Sequence, residues 1–307
     1  MKRPLILALI VATGLAAITV FGQQPPAAAR PPAFNFPPIN TIEPVAENLY
    51  RIPGGGGNSA VFVRADGVLL VDTKVQNNGQ ALLDQIKKVT DKPVTYIINT
   101  HTHGDHTGSN SFFPAKIEIV THENTRANME KMPDFQSQTG KVGLPDRTFK
   151  DRMTLFSGKE AVDLYYFGPA HTNGDAFVVF RTARVMHAGD VFASKGQPLI
   201  DSSTGGSGLA WGETIGKAAA GIKNVDKVIT GHSDIMTWQD FVDYGEFNRL
   251  LVAHARASLT AGKSAEQAMA DFKLPAKFSG YSLAPVPFGA AAAPGGDFNI
   301  LYAELRK

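Results

Sequence analysis

His101-Thr102-His103-Gly104-Asp105-His106-Thr107-Gly108 follows directly on the apolar run Val94-Thr95-Tyr96-Ile97-Ile98-Asn99-Thr100. The run reads as a buried strand opened by Pro93, and the octet as the loop that leaves its end. His101, His103, Asp105 and His106 are all metal-ligating types, packed into one short stretch. Neither helical nor strand periodicity turns all four side chains toward one point, so the octet calls for an irregular loop eased by Gly104 among them. Imidazole and carboxylate together are a ligand set for zinc, with iron or manganese as alternatives.

Working outward, the strand has neighbours on both sides. Ser59–Arg64 and Val68–Asp72 are apolar runs split by Asp66-Gly67, a hairpin signature, and Gly54–Gly57 supply the loop before them. Leu82, Leu83, Ile86 and Val89 give helical spacing over Gly79–Thr90. Further strands are expected at Ile117–Val120, Met153–Phe156, Ala161–Phe167, Ala176–Phe180 and Arg184–Ala188. Helices are expected at Trp211–Ile222, Thr237–Leu259 and Ser264–Phe272, then a Pro/Ala/Gly-rich loop from Ser279 to Asp297 and a last element at Phe298–Leu305. Strands and helices recur in both halves without a break in composition. The expectation is therefore an α/β (α+β) fold, with two sheets covered outside by helices in one domain over residues 43–307. His171, Asp190 and His232 each come just after a predicted strand, where side chains distant in sequence can share one rim.

The 307 residues are 43% hydrophobic and 19% charged, enough for a sizeable core and incompatible with disorder. A formal charge of +2, dispersed along the chain, names neither a nucleic-acid nor a polybasic membrane surface. The absence of cysteine excludes disulfides, thiolate nucleophiles and every Cys-containing metal site. Any metal chemistry rests on His and carboxylates.

Lys2 and Arg3 precede an apolar stretch from Leu5 to Phe21, the pattern of a secretory signal, with cleavage expected after Gly22 or as late as Ala29. The alternative is a retained single-span anchor, since the stretch is near the lower limit of about 17 residues for crossing a bilayer. Export implies a periplasmic or secreted protein with no stable membrane association after cleavage. Residues 23–42 are rich in Pro and Ala and read as an extended linker.

The order and spacing of His101, His103, Asp105, His106, His171, Asp190 and His232, together with Asn58, Asp66-Gly67 and Asp72, resemble the metallo-β-lactamase superfamily over about residues 43–260. The resemblance implies a four-layer αββα sandwich. It also implies that His101, His103 and His171 hold one ion, that Asp105, His106 and His232 hold a second, and that Asp190 bridges them. Two zinc ions per chain would then activate a bridging hydroxide, with Asp105 orienting it and carrying its proton. The implied function is an exported dinuclear zinc hydrolase of a small cyclic or activated carbonyl substrate: a β-lactam, lactone, ester or thioester. Lactamases proper carry Cys or Ser where this chain has Asp190, whereas export brings the enzyme to where β-lactams arrive. The alternatives are therefore a true metallo-β-lactamase, a mononuclear iron dioxygenase of the persulfide-oxidising kind, and a non-catalytic periplasmic metal-binding protein. A nuclease relative is disfavoured by the missing clamp domain and by the near-neutral charge left once cleavage removes Lys2 and Arg3.

The remaining candidates have blander readings. His122 is expected to cap or pack near a helix start, His187 to lie behind the site or in the core, and His254 to be packed or solvated on its helix. Asp72 and Asp175 divide between orienting ligand histidines and capping turns. Trp211 and Trp238 read as core. Lys195 and Ser194 either receive a substrate carboxylate or are solvated.

Overall fold

The computed structural model describes residues 36–284 and 289–307. The expected export signal and the first part of the linker lie outside the described residues. In the first sheet β1 (Glu43–Ala46), β2 (Leu49–Ile52), β3 (Ser59–Arg64), β4 (Gly67–Val71), β5 (Val94–Ile98), β6 (Glu118–His122) and β7 (Arg147–Phe149) lie side by side in chain order. Pairing is antiparallel from β1 to β4 and parallel from β4 to β7. The second sheet runs β13 (Met236–Thr237), β12 (Lys227–Ile229), β11 (Val185–His187), β10 (Phe177–Phe180), β9 (Val162–Tyr165), β8 (Arg152–Leu155), and its parallel pair is β11 with β12. The helices are α1 (Gly79–Ile86), α2 (Gly104–Thr107), α3 (Glu123–Met129), α4 (Gln138–Lys141), α5 (Gly208–Gly221), α6 (Trp238–Thr260), α7 (Ala265–Asp271) and α8 (Asp297–Leu305).

Strand alternation sorts the apolar residues into layers. Phe62, Leu69, Val71 and Ile98 of the first sheet face Val162, Leu164, Val178 and Phe180 of the second, forming the core between the sheets. The opposite faces are apolar too. Val61, Val68, Leu70 and Ile97 pack on Leu82 and Ile86 of α1, while Phe177, Val179, Met186 and Val228 pack beneath Trp211, Phe241 and Phe247 of α5 and α6. Strands buried on both faces read as continuous rather than alternating hydrophobic runs, and each fully buried Leu or Phe contributes about 1.5–3 kcal/mol. The expected αββα sandwich is the observed one.

Differences from the expected elements have local causes. The helix beginning at Gly79 closes at Ile86, short of Thr90. The β1–β2 hairpin escapes the pattern because Pro44 breaks its alternation, and β7 and β13 escape it because each is short. The octet is not wholly irregular: His103, with extended backbone, precedes one helical turn that carries Asp105 and His106. Long α6 starts where expected because Thr237 and Asp240 form a reciprocal capping box. At the start of α8, Asp297 is fully buried with neither carboxylate oxygen hydrogen-bonded, and burial pushes its carboxyl up to about 8.

Residues 36–42, which composition assigns to the linker, are docked on the domain. The Pro37 carbonyl accepts the Gly55 N–H at 2.7 Å, and Ile39 and Ile42 pack against the core under α1. Proline-rich sequence forbids ladder pairing but not this kind of side-chain and carbonyl docking.

Candidate metal centre

All seven sequence-predicted ligands meet on one rim, where segments following β5, β9, β11 and β12 converge. His101, His103, His171 and Asp190 form one group whose ligating atoms lie within 4.8 Å of each other, and Asp105, His106 and His232 form another. Asp190 stands between them. Its Oδ2 lies 3.9 Å from His101 Nε2, 3.7 Å from His171 Nε2 and 3.1 Å from His232 Nε2, while Oδ1 lies 3.2 Å from His106 Nε2. Asp105 Oδ2 is 3.2 Å from His232 Nε2 and 3.6 Å from His106 Nε2.

Four of the histidines direct one nitrogen inward and hold the other on a partner, which fixes the ring. His101 Nδ1 lies 3.0 Å from Thr100 Oγ1, and His103 Nε2 lies 2.8 Å from Asp201 Oδ2. His106 Nδ1 lies 2.7 Å from Asp72 Oδ2, and His171 Nδ1 lies 2.5 Å from the Leu199 carbonyl. Asp72 also accepts the Thr100 N–H and hydroxyl, so of its two expected roles it takes the orienting one. Asp175 takes the other, accepting the N–H and hydroxyl of Thr172 in the turn after His171.

Electrostatics separate the two groups. Burial, then the neighbouring imidazoles, hold His101 well below its ordinary value and His171 down to about 4, leaving neutral lone pairs. In the other group burial acts in the same direction but is overcome by Asp190 and Asp105, which raise His106 well above its ordinary value and His232 to about 9. The same histidines overcome burial to hold Asp105 down to about 2. Exposure cuts across the groups: His101, His171 and His106 are sealed, while His103, Asp105 and His232 are 24%, 19% and 29% exposed.

The donor set fits metal ions. His101 Nε2 and Asp190 Oδ1 are buried without a hydrogen-bond partner, a costly arrangement unless a cation satisfies them. His103 Nδ1 and His171 Nε2 face each other at 3.0 Å, as two nitrogen donors do around one ion.

Two supports were not legible in the sequence. Lys74 is fully buried at φ +72°, and its Nζ donates to the Ile52 and Gly57 carbonyls at 2.5 Å each. Burial pulls its ammonium down to about 7 against the opposing charge of Asp72. It pins the ends of the glycine loop, where Gly57 presses on the His106 ring so closely that a Cβ would overlap it. Asp201 is the other, separated from its partner His103 by 98 positions.

The blander candidates resolve individually. His122 caps α3 by accepting the Asn124 N–H, and His187 is buried with Nε2 at 3.0 Å from the Asn58 carbonyl. His254 packs between Phe272 and Phe298. Trp211 is core, its indole N–H donating to the Val191 carbonyl, and Trp238 packs partly buried on the same cluster. Lys195 is paired with Asp240 at 2.6 Å rather than free for a substrate carboxylate.

The family model described as Metallo-beta-lactamase superfamily matches residues 52–232. Metallo-beta-lactamase IND-1 of Chryseobacterium indologenes is 29% identical over 205 residues, covering 63% of this chain and 82% of its own. Among solved structures, DIM-1 metallo-beta-lactamase superposes with a TM-score of 0.57 at 19% identity, over 69% of this chain and 99% of that one. The sec-alkylsulfatase Pisa1 from Pseudomonas sp. superposes with a TM-score of 0.70 at 15% identity, over 86% of this chain, which spans half of the sulfatase's length. At these identities the two structures speak for the fold alone.

Proposed function

The chain belongs to the metallo-beta-lactamase superfamily, and from that membership we propose that it is a dinuclear zinc hydrolase of cyclic or activated carbonyl compounds. The observation that carries this reading is the Asp190 carboxylate, which stands between the two ligand groups, Oδ1 3.2 Å from His106 and Oδ2 within 3.9 Å of His232, His171 and His101. His101, His103 and His171 would hold one ion, Asp105, His106 and His232 the other, and Asp190 both. Bound zinc supplies an acidified water and a Lewis acid for the carbonyl oxygen. The chain's own residues do the rest. Asp72, Thr100, Asp201 and the Leu199 carbonyl keep the imidazoles in register. Asp105, partly exposed on the rim, accepts the proton of the attacking water and returns it to the leaving group. The buried wall of His101, His106 and His171 keeps bulk water from one side of the reacting carbonyl. Export to the periplasm or exterior is part of this proposal, checked by sequencing the N-terminus of the processed protein.

The test is a single preparation stripped with chelator and reloaded with zinc. We expect about two ions per chain and activity that follows the metal. The substrate panel is nitrocefin, a penicillin, a carbapenem, an acyl-homoserine lactone, a glutathione thioester and a secondary alkyl sulfate. Turnover of the β-lactams alone, at kcat/KM above about 10⁴ M⁻¹s⁻¹, would replace the broad reading with a lactamase proper. One tight iron with oxygen-dependent turnover, or full metal with no turnover on the panel, would overturn it.

A further inference from the structure

Residues 197–207 approach α5 without forming a strand, yet they supply the partners of two ligand histidines. The Leu199 carbonyl holds His171 Nδ1, and the Asp201 carboxylate holds His103 Nε2. Asp201 is fixed in turn by the hydroxyls of Ser203 and Thr204. Backbone bonds wrap the segment on the chain around His171: the Asp201 N–H donates to the His171 carbonyl at 3.0 Å, and the Ser207 N–H to the Ala170 carbonyl at 2.9 Å. A loop orients ligands well only where its own supports are rigid.

Those supports come from α8. At one end of the segment Gln197 accepts the Asp297 N–H through Oε1 at 3.4 Å and donates to the Leu283 carbonyl at 2.5 Å. At the other end Glu304 accepts the Ser207 hydroxyl at 2.6 Å, the Gly208 N–H at 2.8 Å and the Leu209 N–H at 3.4 Å. The first N–H groups of a helix have no partner within it, so the carboxylate of α8 caps α5 from outside and is favoured by its dipole. Between the two ends Ile200 and Leu301 are buried in one cluster, and both crowd Gly208, where a Cβ would lie 2.6 Å from each. Leu301 and Glu304, three residues apart, share one face of α8. Apolar packing alone would seat the helix, whereas the carboxylate and the amide also fix where the segment lies.

We propose that α8 is a clamp on the first ligand group, with Glu304 and Gln197 as positioning residues: the helix fixes residues 197–207, and these fix His103 and His171. The proposal deepens the hydrolase reading and rests on it for the ion. It makes the affinity of the first position depend on a helix that contributes no ligand.

Cobalt(II) titration tests this without turnover, in the full Asp105→Ala chain, where the remaining ion belongs to the first group. Glu304→Ala should weaken cobalt(II) about tenfold and shift its visible absorption, and Glu304→Gln and Gln197→Ala should weaken it about threefold each. Leu82→Ala, under α1 on the opposite outer layer, should lower the melting temperature at least as far as Glu304→Ala and leave cobalt affinity and absorption unchanged. Unchanged affinity and absorption in the Glu304 and Gln197 variants overturn the clamp. So does a loss in Leu82→Ala equal to that in Glu304→Ala, which would make the effect one of global stability. If Glu304→Ala does not fold, Glu304→Gln and Gln197→Ala decide between the same outcomes. The expected shifts in a chain that hydrolyses nothing leave the clamp standing and remove the hydrolase reading. Hydrolysis with cobalt affinity indifferent to Glu304 and Gln197 does the reverse.

Discussion

In the group of His101, His103 and His171, two imidazoles, His101 and His171, are sealed from solvent and held neutral by burial, whereas in the group of Asp105, His106 and His232 the carboxylates of Asp190 and Asp105 raise both imidazoles. The difference teaches how one rim prepares two unequal positions. In the first group His101 and His171 offer lone pairs in a dry setting, where a cation meets no competing proton. The second already contains its own positive charge, so an ion must displace protons to enter, and it borders the open side where a substrate arrives.

The comparison breaks most sharply at the ligands. Asp190→Ala should remove the shared carboxylate, lower the metal content of both groups and reduce kcat/KM by about 10³ or more. Asp105→Ala should leave about one ion per chain, in the all-histidine group, while His101→Ala should damage that group first. Metal analysis paired with rates checks all three, and full metal with full rate in any of them would end the assignment.

Acid should separate the groups next. Metal binding requires unprotonated imidazole, so lowering the pH weakens a site once its histidines take up protons. With His232 at about 9 and His171 at about 4, the second ion should become progressively weaker from pH 9 downward and the first only near pH 4. Metal titrations at pH 8, 6.5 and 5 read this directly, and simultaneous loss of both ions would contradict it. A smaller effect is expected behind the ligands: Asp72→Ala frees His106 Nδ1 and should cost about 10–100-fold in affinity at the second group only.

The smallest effect lies outside both groups. A free carboxylic acid releases its proton near pH 4, but buried Asp297 keeps it to about 8. The folded state therefore binds more protons than the unfolded state between those values, and stability falls as pH rises from 4 to 8. Asp297→Asn should flatten that decline, raising the melting temperature at pH 8 by about 2–4 °C for each kcal/mol relieved. An unchanged pH dependence would show that the carboxyl is not held protonated.

How much of this was legible in the sequence follows from the range of the interactions. The convergence of the seven candidate ligands was, because four side chains of metal-ligating type crowded behind one apolar strand must leave the sheet together at its rim, and His171, Asp190 and His232 repeat that grammar. Asp72 was half legible, its chain position pointing to the site but not to His106. Asp201 and Lys74 were not, since one acts on a histidine 98 positions away and the other on carbonyls that only the folded hairpin brings to it. Residues 36–42 misled for a related reason: proline content reports on hydrogen-bonded ladders, and their docking uses none.

Each ligand group straddles the two sheets. His101 and His103 leave β5 of the first while His171 follows β9 of the second, and Asp105 and His106 are likewise completed by His232 after β12. Neither sheet alone assembles a complete group, so an ion held there fastens the halves together as a cross-link would, without a covalent bond. By linkage, free zinc at a hundred times its dissociation constant would add about 2.7 kcal/mol to the stability of the docked state. The same geometry would make metal uptake a report on folding: a chain whose sheets have formed but not yet met has no complete place to put an ion.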